Sequence, residues 1–254
     1  MKTSFAAAAL MAVALTACSK TSSNNSSSNV VAAHGPVAAV PPPAGKQWTD
    51  IVSETADGGY VMGNPNAPVK LIEYASFSCP HCKHFEETGA DALKSKYVAT
   101  GKVSWEFRSF LIHSMDAPLT LLMRCRGPEP FFALTEQLYA GQDDMMKKFI
   151  AMTPADQQRI AALPPAENFK AQAEIGGLYG FFGARGLPKA QADACLTDPK
   201  AAQKLNDWTN KYSNDGINET PTFVINGTQW DEPDRTGAEL WPQLDHALTI
   251  ATGG

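Results

Sequence analysis

Apolar positions recur along this chain with two different periods, and the switch between them sets the expected elements. Over residues 69–77 the repeat is two. Val69, Leu71, Ala75 and Phe77 share one face, and Ile72 and Tyr74 lie on the other. Apolar residues on both faces predict a central strand, covered on both sides. Glu73 is in phase with Val69 and Leu71. An acid there is buried unless the strand end opens to a cavity. The run Gly63-Asn64-Pro65-Asn66-Ala67-Pro68 before it has turn chemistry. One short strand is expected ahead of that turn, within residues 48–62. Past Ser78 the spacing lengthens to three and four. Cys82, Phe85, Gly89, Leu93 and Tyr97 form the inner stripe of a helix, with Pro80 suited to its first turn and Thr100-Gly101 ending it. Val103, Trp105 and Phe107 then alternate with Ser104, Glu106 and Arg108, which predicts a second strand. Strand, helix, strand is a βαβ unit with a parallel pair.

From residue 116 to residue 195 the pattern is helical, with boundaries at Thr153-Pro154 and Pro164-Pro165. Phe131 and Phe132 are expected in the core of this stretch. Residues 198–214 predict a further helix. Thr220-Pro221 leads into the apolar run Phe223-Val224-Ile225, and Asn226-Gly227 is a strong two-residue hairpin turn, so residues 228–230 pair back. Leu240, Leu244, Ala247 and Leu248 mark one face of a closing helix. No internal repeat is evident. The pattern as a whole is α/β, with a helical stretch between two β-containing parts.

The first residues change the picture by fixing a compartment. Lys2 gives a basic start, and an apolar, Ala-rich core of signal-peptide length follows, too short to span a bilayer. Leu15-Thr16-Ala17-Cys18 resembles a bacterial lipobox, in which the cysteine is lipidated and becomes the mature N-terminus. Ordinary cleavage nearby is the alternative. Both readings export the protein to where disulfides persist. Residues 18–47 are Ser/Asn-rich, then Ala/Pro-rich, and read as a flexible tether reaching roughly 30 Å. The expected division is residues 1–17 as signal peptide, 18–47 as lipidated cysteine and tether, 48–115 as the first part of the α/β unit, 116–196 as a helical insertion, and 197–254 as its second part. The formal net charge of −5 over 254 residues argues against a phosphate-tracking nucleic-acid binder. No apolar run reaches the 18 residues of a membrane-spanning helix.

Five cysteines remain to be explained. Lipidation of Cys18 accounts for one and leaves four, an even number. Cys79-Pro80-His81-Cys82 follows a predicted strand and opens a predicted helix, a specific redox signal. Three residues of helix bring both side chains to one face, within disulfide reach. Cys79 at the helix N-terminus meets unpaired N–H groups and the positive end of the dipole. His81 adds a donor or a positive charge. All three effects favour the thiolate, and a stabilised thiolate makes the disulfide a better oxidant. A purely structural disulfide is the plainer alternative, although so tight a loop constrains little of the unfolded chain. A zinc or copper site from Cys79, Cys82, His81 and His84 is another, unsupported by any second cysteine pair at zinc spacing. Cys125 and Cys195 flank most of the helical stretch, and a bridge between them would close a long loop; two buried free thiols are the alternative. His113 and His246 have no evident partner, and His34 falls in the tether.

Residues 72–82, Ile-Glu-Tyr-Ala-Ser-Phe-Ser-Cys-Pro-His-Cys, resemble the active-site segment of DsbA-type oxidoreductases. The turn at residues 63–68 is similar to their lead-in. Thr220-Pro221-Thr222-Phe223-Val224-Ile225-Asn226-Gly227 resembles their second signature. The resemblance covers residues 63–227, with a weak middle. It implies a thioredoxin fold with an inserted α-helical domain, and Pro221 as a cis proline opposite the active site, preceded by Thr220. It implies Cys79 as the exposed nucleophile and Cys82 as the buried resolving cysteine. Glu73 would be an acid beneath them that passes a proton to or from Cys82; a salt-bridged structural Glu is the alternative. The implied activity is oxidation of thiols in exported proteins by thiol–disulfide exchange, with a quinone-linked membrane reoxidase of the DsbB or VKOR kind as partner, no cofactor and no metal. Thr220 leans toward the isomerases of the family. An isomerase or reductase of the same fold is the second function expected, and a metal carrier or chaperone the third.

Overall fold

A computed structural model describes Met1, residues 35–231 and residues 240–254. Cys18, His34 and the signal segment lie outside the described residues. The backbone order is a 3-10 turn (Trp48–Asp50), β1 (Val52–Glu54), β2 (Tyr60–Met62), β3 (Val69–Ala75), α1 (Pro80–Phe85), α2 (Asp91–Leu93) and β4 (Val103–Ser109). Seven helices follow: α3 (Asp116–Arg124), α4 (Phe131–Ala140), α5 (Gln142–Ile150), α6 (Pro154–Ala161), α7 (Pro165–Gly176), α8 (Leu178–Gly183) and α9 (Lys189–Leu196). Then come α10 (Pro199–Asn214), β5 (Thr222–Ile225), β6 (Thr228–Gln229) and α11 (Leu240–Ala251).

The six strands form one mixed sheet in the order β1-β2-β4-β3-β5-β6. β3 and β4 are parallel, with Leu71 opposite Trp105 and Glu73 opposite Phe107. β5 runs antiparallel to β3, with Glu73 opposite Phe223. β3 is therefore interior to the sheet, as its two apolar faces require. This is a thioredoxin-type sheet with a run of helices between β4 and β5. Asn226 and Gly227 both have positive φ, 51° and 82°, the backbone that a two-residue hairpin with right-handed twist demands.

Two elements differ from the sequence reading. Residues 48–62 hold two strands, not one: β1 and β2 form an antiparallel hairpin, and β2 adds to β4. Each is three residues long, too short for a two-residue repeat to register. The last part of the expected tether also lies against the body. Val37 N–H donates to Thr252 O (2.9 Å), Val40 N–H to Thr100 O (2.9 Å), and Trp48 Nε1 to Val40 O (2.6 Å).

The helix after the active-site turn runs without a break from Pro80 to Val98, but it contains π turns at Glu86–Ala90 and Lys94–Val98. Its inner stripe advances by four at three of its four steps, faster than the 3.6-residue period. The wider turns take up that drift and keep Phe85, Leu93 and Tyr97 buried. Gly89 sits in the first of them because a Cβ there would fall 2.8 Å from the Phe85 ring.

Phe131 and Phe132 are buried, but at the seam and not within the insertion. Phe131 packs on Tyr60 (ring centroids 4.2 Å) and Phe107 (5.4 Å), and Phe132 on Trp105 (4.9 Å). They join the inserted helices to the sheet. Cys125 at the end of α3 and Cys195 in α9 form a disulfide across 70 residues.

Candidate active site

Cys79 is the N-cap of α1. Its φ and ψ are extended, and its sulfur accepts from the Cys82 N–H at 3.5 Å. Pro80 occupies the first turn, where its missing N–H costs nothing. On the other side Cys79 Sγ lies 3.3 Å from the carbonyl of Thr220, which is joined to Pro221 by a cis peptide bond. The two sequence signatures, 141 residues apart, thus meet at one sulfur.

Both thiols of the pair are free. Their environments push them apart. Hydrogen bonding from the Cys82 side chain, with help from the Thr220 side chain and the backbone N–H groups of Cys82 and His81, outweighs burial and lowers the Cys79 thiol to about 6. Complete burial, then the hydrogen bond and charge of Cys79, push the Cys82 thiol well up. One cysteine is a thiolate at neutral pH and its neighbour holds its proton, a division of labour set by environment alone.

Glu73 lies beneath, fully buried. Burial and the neighbouring Glu86 push its carboxyl well above the usual range, against the opposing pull of a hydrogen bond from Trp105 Nε1 to Oε2 (3.0 Å). Its charge reaches Cys82 and helps push that thiol up. Among the described residues Glu73 makes no salt bridge; its partner is an indole. Glu86, in the first π turn, is itself raised to about 7 by burial.

The turn carrying Cys79 is held by residues the sequence pattern did not single out. Tyr139 OH donates to Ser76 O (3.0 Å), and Gln142 Nε2 donates to both Phe77 O (2.9 Å) and Cys79 O (3.0 Å). Asp116, buried, accepts from Ser76 Oγ (2.9 Å), Ser78 N–H (3.1 Å), Ser78 Oγ (3.1 Å), Ile112 N–H (3.0 Å) and His113 N–H (2.9 Å). His113, without an evident partner in the sequence, has Nδ1 2.8 Å from Ser78 Oγ. No local signal marks the contacts to the turn, because each joins groups 35 or more residues apart; only those from Ile112 and His113 to Asp116 are local. Among the described residues no group of three or more His, Cys, Asp or Glu is placed to hold a metal ion. His81 and His84 do not converge with the cysteines on one point.

Comparison with known proteins agrees with this geometry. The thioredoxin family model matches residues 55–243. A crystal structure titled protein-disulfide isomerase from Novosphingobium aromaticivorans superposes with a TM-score of 0.71 at 32% identity, over 76% of this chain and 99% of that one. The α-DsbA1 of Wolbachia pipientis shares the fold, with a TM-score of 0.59 at 21% identity, over 79% of this chain and 94% of its own. A Rickettsia felis protein named "Putative protein-disulfide oxidoreductase" is 27% identical over 180 residues, which are 70% of this chain and 57% of that protein. The chain thus spans less than three-fifths of the length of that relative. With the sheet, the inserted helices and both signatures accounted for, this chain belongs to the thioredoxin family and has the DsbA-like form of its fold.

Proposed function

We propose that the chain is a thiol:disulfide oxidoreductase that forms disulfides in exported proteins through Cys79 and Cys82. One observation carries the reading: a thiol lowered to about 6 at a helix N-cap, three residues from a buried thiol pushed up. In the oxidised enzyme these sulfurs form a disulfide. A substrate thiolate attacks Cys79 Sγ, the Cys79–Cys82 bond breaks, and Cys82 leaves as a thiolate that takes up a proton. Glu73, beneath it and with its carboxyl pushed well above the usual range by burial, is the proposed donor. A second substrate thiolate then attacks the substrate sulfur of the mixed disulfide, and Cys79 leaves as a stabilised thiolate. Two substrate thiols become one disulfide, and two electrons reside on the enzyme pair. Thr220 and Pro221, against Cys79, line the side from which a substrate chain approaches. His81 supplies a backbone N–H to the thiolate.

A membrane reoxidase of the DsbB or VKOR kind is the proposed electron acceptor. Export to the periplasm and a lipid tether at Cys18 complete the proposal, resting on the lipobox resemblance alone. No helix of the described residues is long and apolar enough to cross a membrane.

Isomerisation is the second reading, favoured by the name of the Novosphingobium relative and by Thr220 beside the cis proline. One assay separates them. The full mature chain is given reduced, unfolded ribonuclease A, and separately scrambled, fully oxidised ribonuclease A. Fast oxidation of the first with little rescue of the second is expected; the reverse would replace oxidase with isomerase. Cys82→Ser should accumulate a mixed disulfide through Cys79 in the same reaction. Its absence, with the variant folded like the wild type, would overturn the roles given to the two sulfurs.

A further inference from the structure

Asp116 and Gln142 each stand at the first position of a helix, α3 and α5. Helical side chains lean toward the N-terminus, so a residue at the first position projects beyond the end of its helix toward whatever abuts it. Here both helix ends abut the turn at Ser76–Cys79. Asp116 takes the Ser78 N–H, while Gln142 spends both amide protons on the Phe77 and Cys79 carbonyls. Both side chains are essentially excluded from solvent, at 1% exposure each. Such groups are costly unless paired, and here their partners belong to the nucleophile's own turn. Gln142 satisfies the Phe77 carbonyl and adds a second donor to the Cys79 carbonyl, which also accepts from the Lys83 N–H (3.2 Å). Asp116 ties the same turn to the loop after β4 through Ile112 and His113.

We propose that Asp116 and Gln142 are positioning residues for Cys79: from the inserted helices they fix the turn so that Cys79 Sγ stands where the Cys82 N–H and the Thr220 carbonyl meet it. The proposal rests on the exchange reading above and gives the helical insertion a task within the chemistry. The thiolate-stabilising contact at 3.5 Å is long for an N–H donor, though ordinary for sulfur, and a small rotation of the turn removes it. Without that contact the thiol loses a backbone hydrogen bond, and the same rotation moves it away from the Cys82 side chain, the largest cause of its acidity.

The signs separate positioning from charge. Removing an anion near a thiol, by itself, lowers the thiol pKa, because less negative charge opposes ionisation. Asp116→Asn therefore raises the Cys79 pKa only if the turn loosens. The Asn amide would also point a donor at a ring of donors. Gln142→Met keeps length and removes both N–H groups without any change of charge. The experiment is the pH dependence of iodoacetamide alkylation at Cys79, followed by mass spectrometry on the reduced full chain. The wild-type midpoint is expected at about 6. Both variants should move upward by about one pH unit, a tenfold loss of thiolate preference, with unchanged far-ultraviolet circular dichroism. A folded variant that titrates at or below the wild-type midpoint overturns the proposal, whatever its melting temperature; if one variant fails to fold, the other decides. A wild-type midpoint near the ordinary value of 9 would instead overturn the exchange reading itself, and the cradle with it.

Discussion

Glu73 shows how far a single residue can be read from a sequence. Its phase in the strand pattern marks it as buried, and it is. Its partner, Trp105, lies on the neighbouring strand, and no spacing rule links the two. The same holds for Tyr139, Gln142 and Asp116, whose function is contact across the fold. The cysteine motif is legible because its chemistry is local: cap, dipole and pair lie within four residues. A raised carboxyl pKa has a definite consequence for stability. The unfolded Glu73 ionises near 4.5 and the folded one only well above it, so the folded state loses stability as pH rises beyond 4.5. Glu73→Gln removes that loss. It should make the reduced protein more stable at pH 7 than the wild type, by urea unfolding, while slowing turnover several-fold. Unchanged turnover at neutral pH, or a drop in stability, would return Glu73 to a structural role.

At the scale of elements, long periodic segments were readable and short ones were not. Helix α10 starts where Asp198 caps it, and α6 where Thr153 does, as their sequences indicate. β1 and β2 are each three residues, and pairing with each other and of β2 with β4, not a pattern of their own, makes them strands. The π turns after α1 follow from how the stripe must face the sheet, again a tertiary demand. Phe131 and Phe132 were legible as core residues, but the side they serve was not. The disulfide from α3 to α9 clips the two ends of the insertion together. Closing a loop of 70 residues is worth up to about 4 kcal/mol by chain entropy. Replacing Cys125 and Cys195 together by Ser should lower Tm by about 10 °C, leaving the Cys79 alkylation midpoint in place. An unchanged Tm would mean the bridge adds no constraint, and a moved midpoint would mean it reaches the active site.

For the molecule as a whole, the order of elements carried most of the fold. A βαβ unit, a helical stretch and a terminal hairpin with a closing helix leave few arrangements open. The meeting of Cys79 with the Thr220–Pro221 bond was expected from the family resemblance alone. The expected tether is shorter than its composition indicates, since Val37 and Val40 are bonded to the body. An α/β sheet, a helical cradle and a separated pair of thiol environments combine to favour the reduced form of the cysteine pair. That claim is tested most directly by the reduction potential of Cys79–Cys82, measured by equilibration with glutathione at a series of pH values. The account predicts an oxidising couple, toward ~−120 mV and well above the ~−270 mV of a thioredoxin-like reductant. It also predicts a slope of ~30 mV per pH unit above about pH 6, where reduction takes up one proton, steepening to ~59 mV below it, where Cys79 is protonated as well. A potential near ~−270 mV with no break around pH 6 would contradict it.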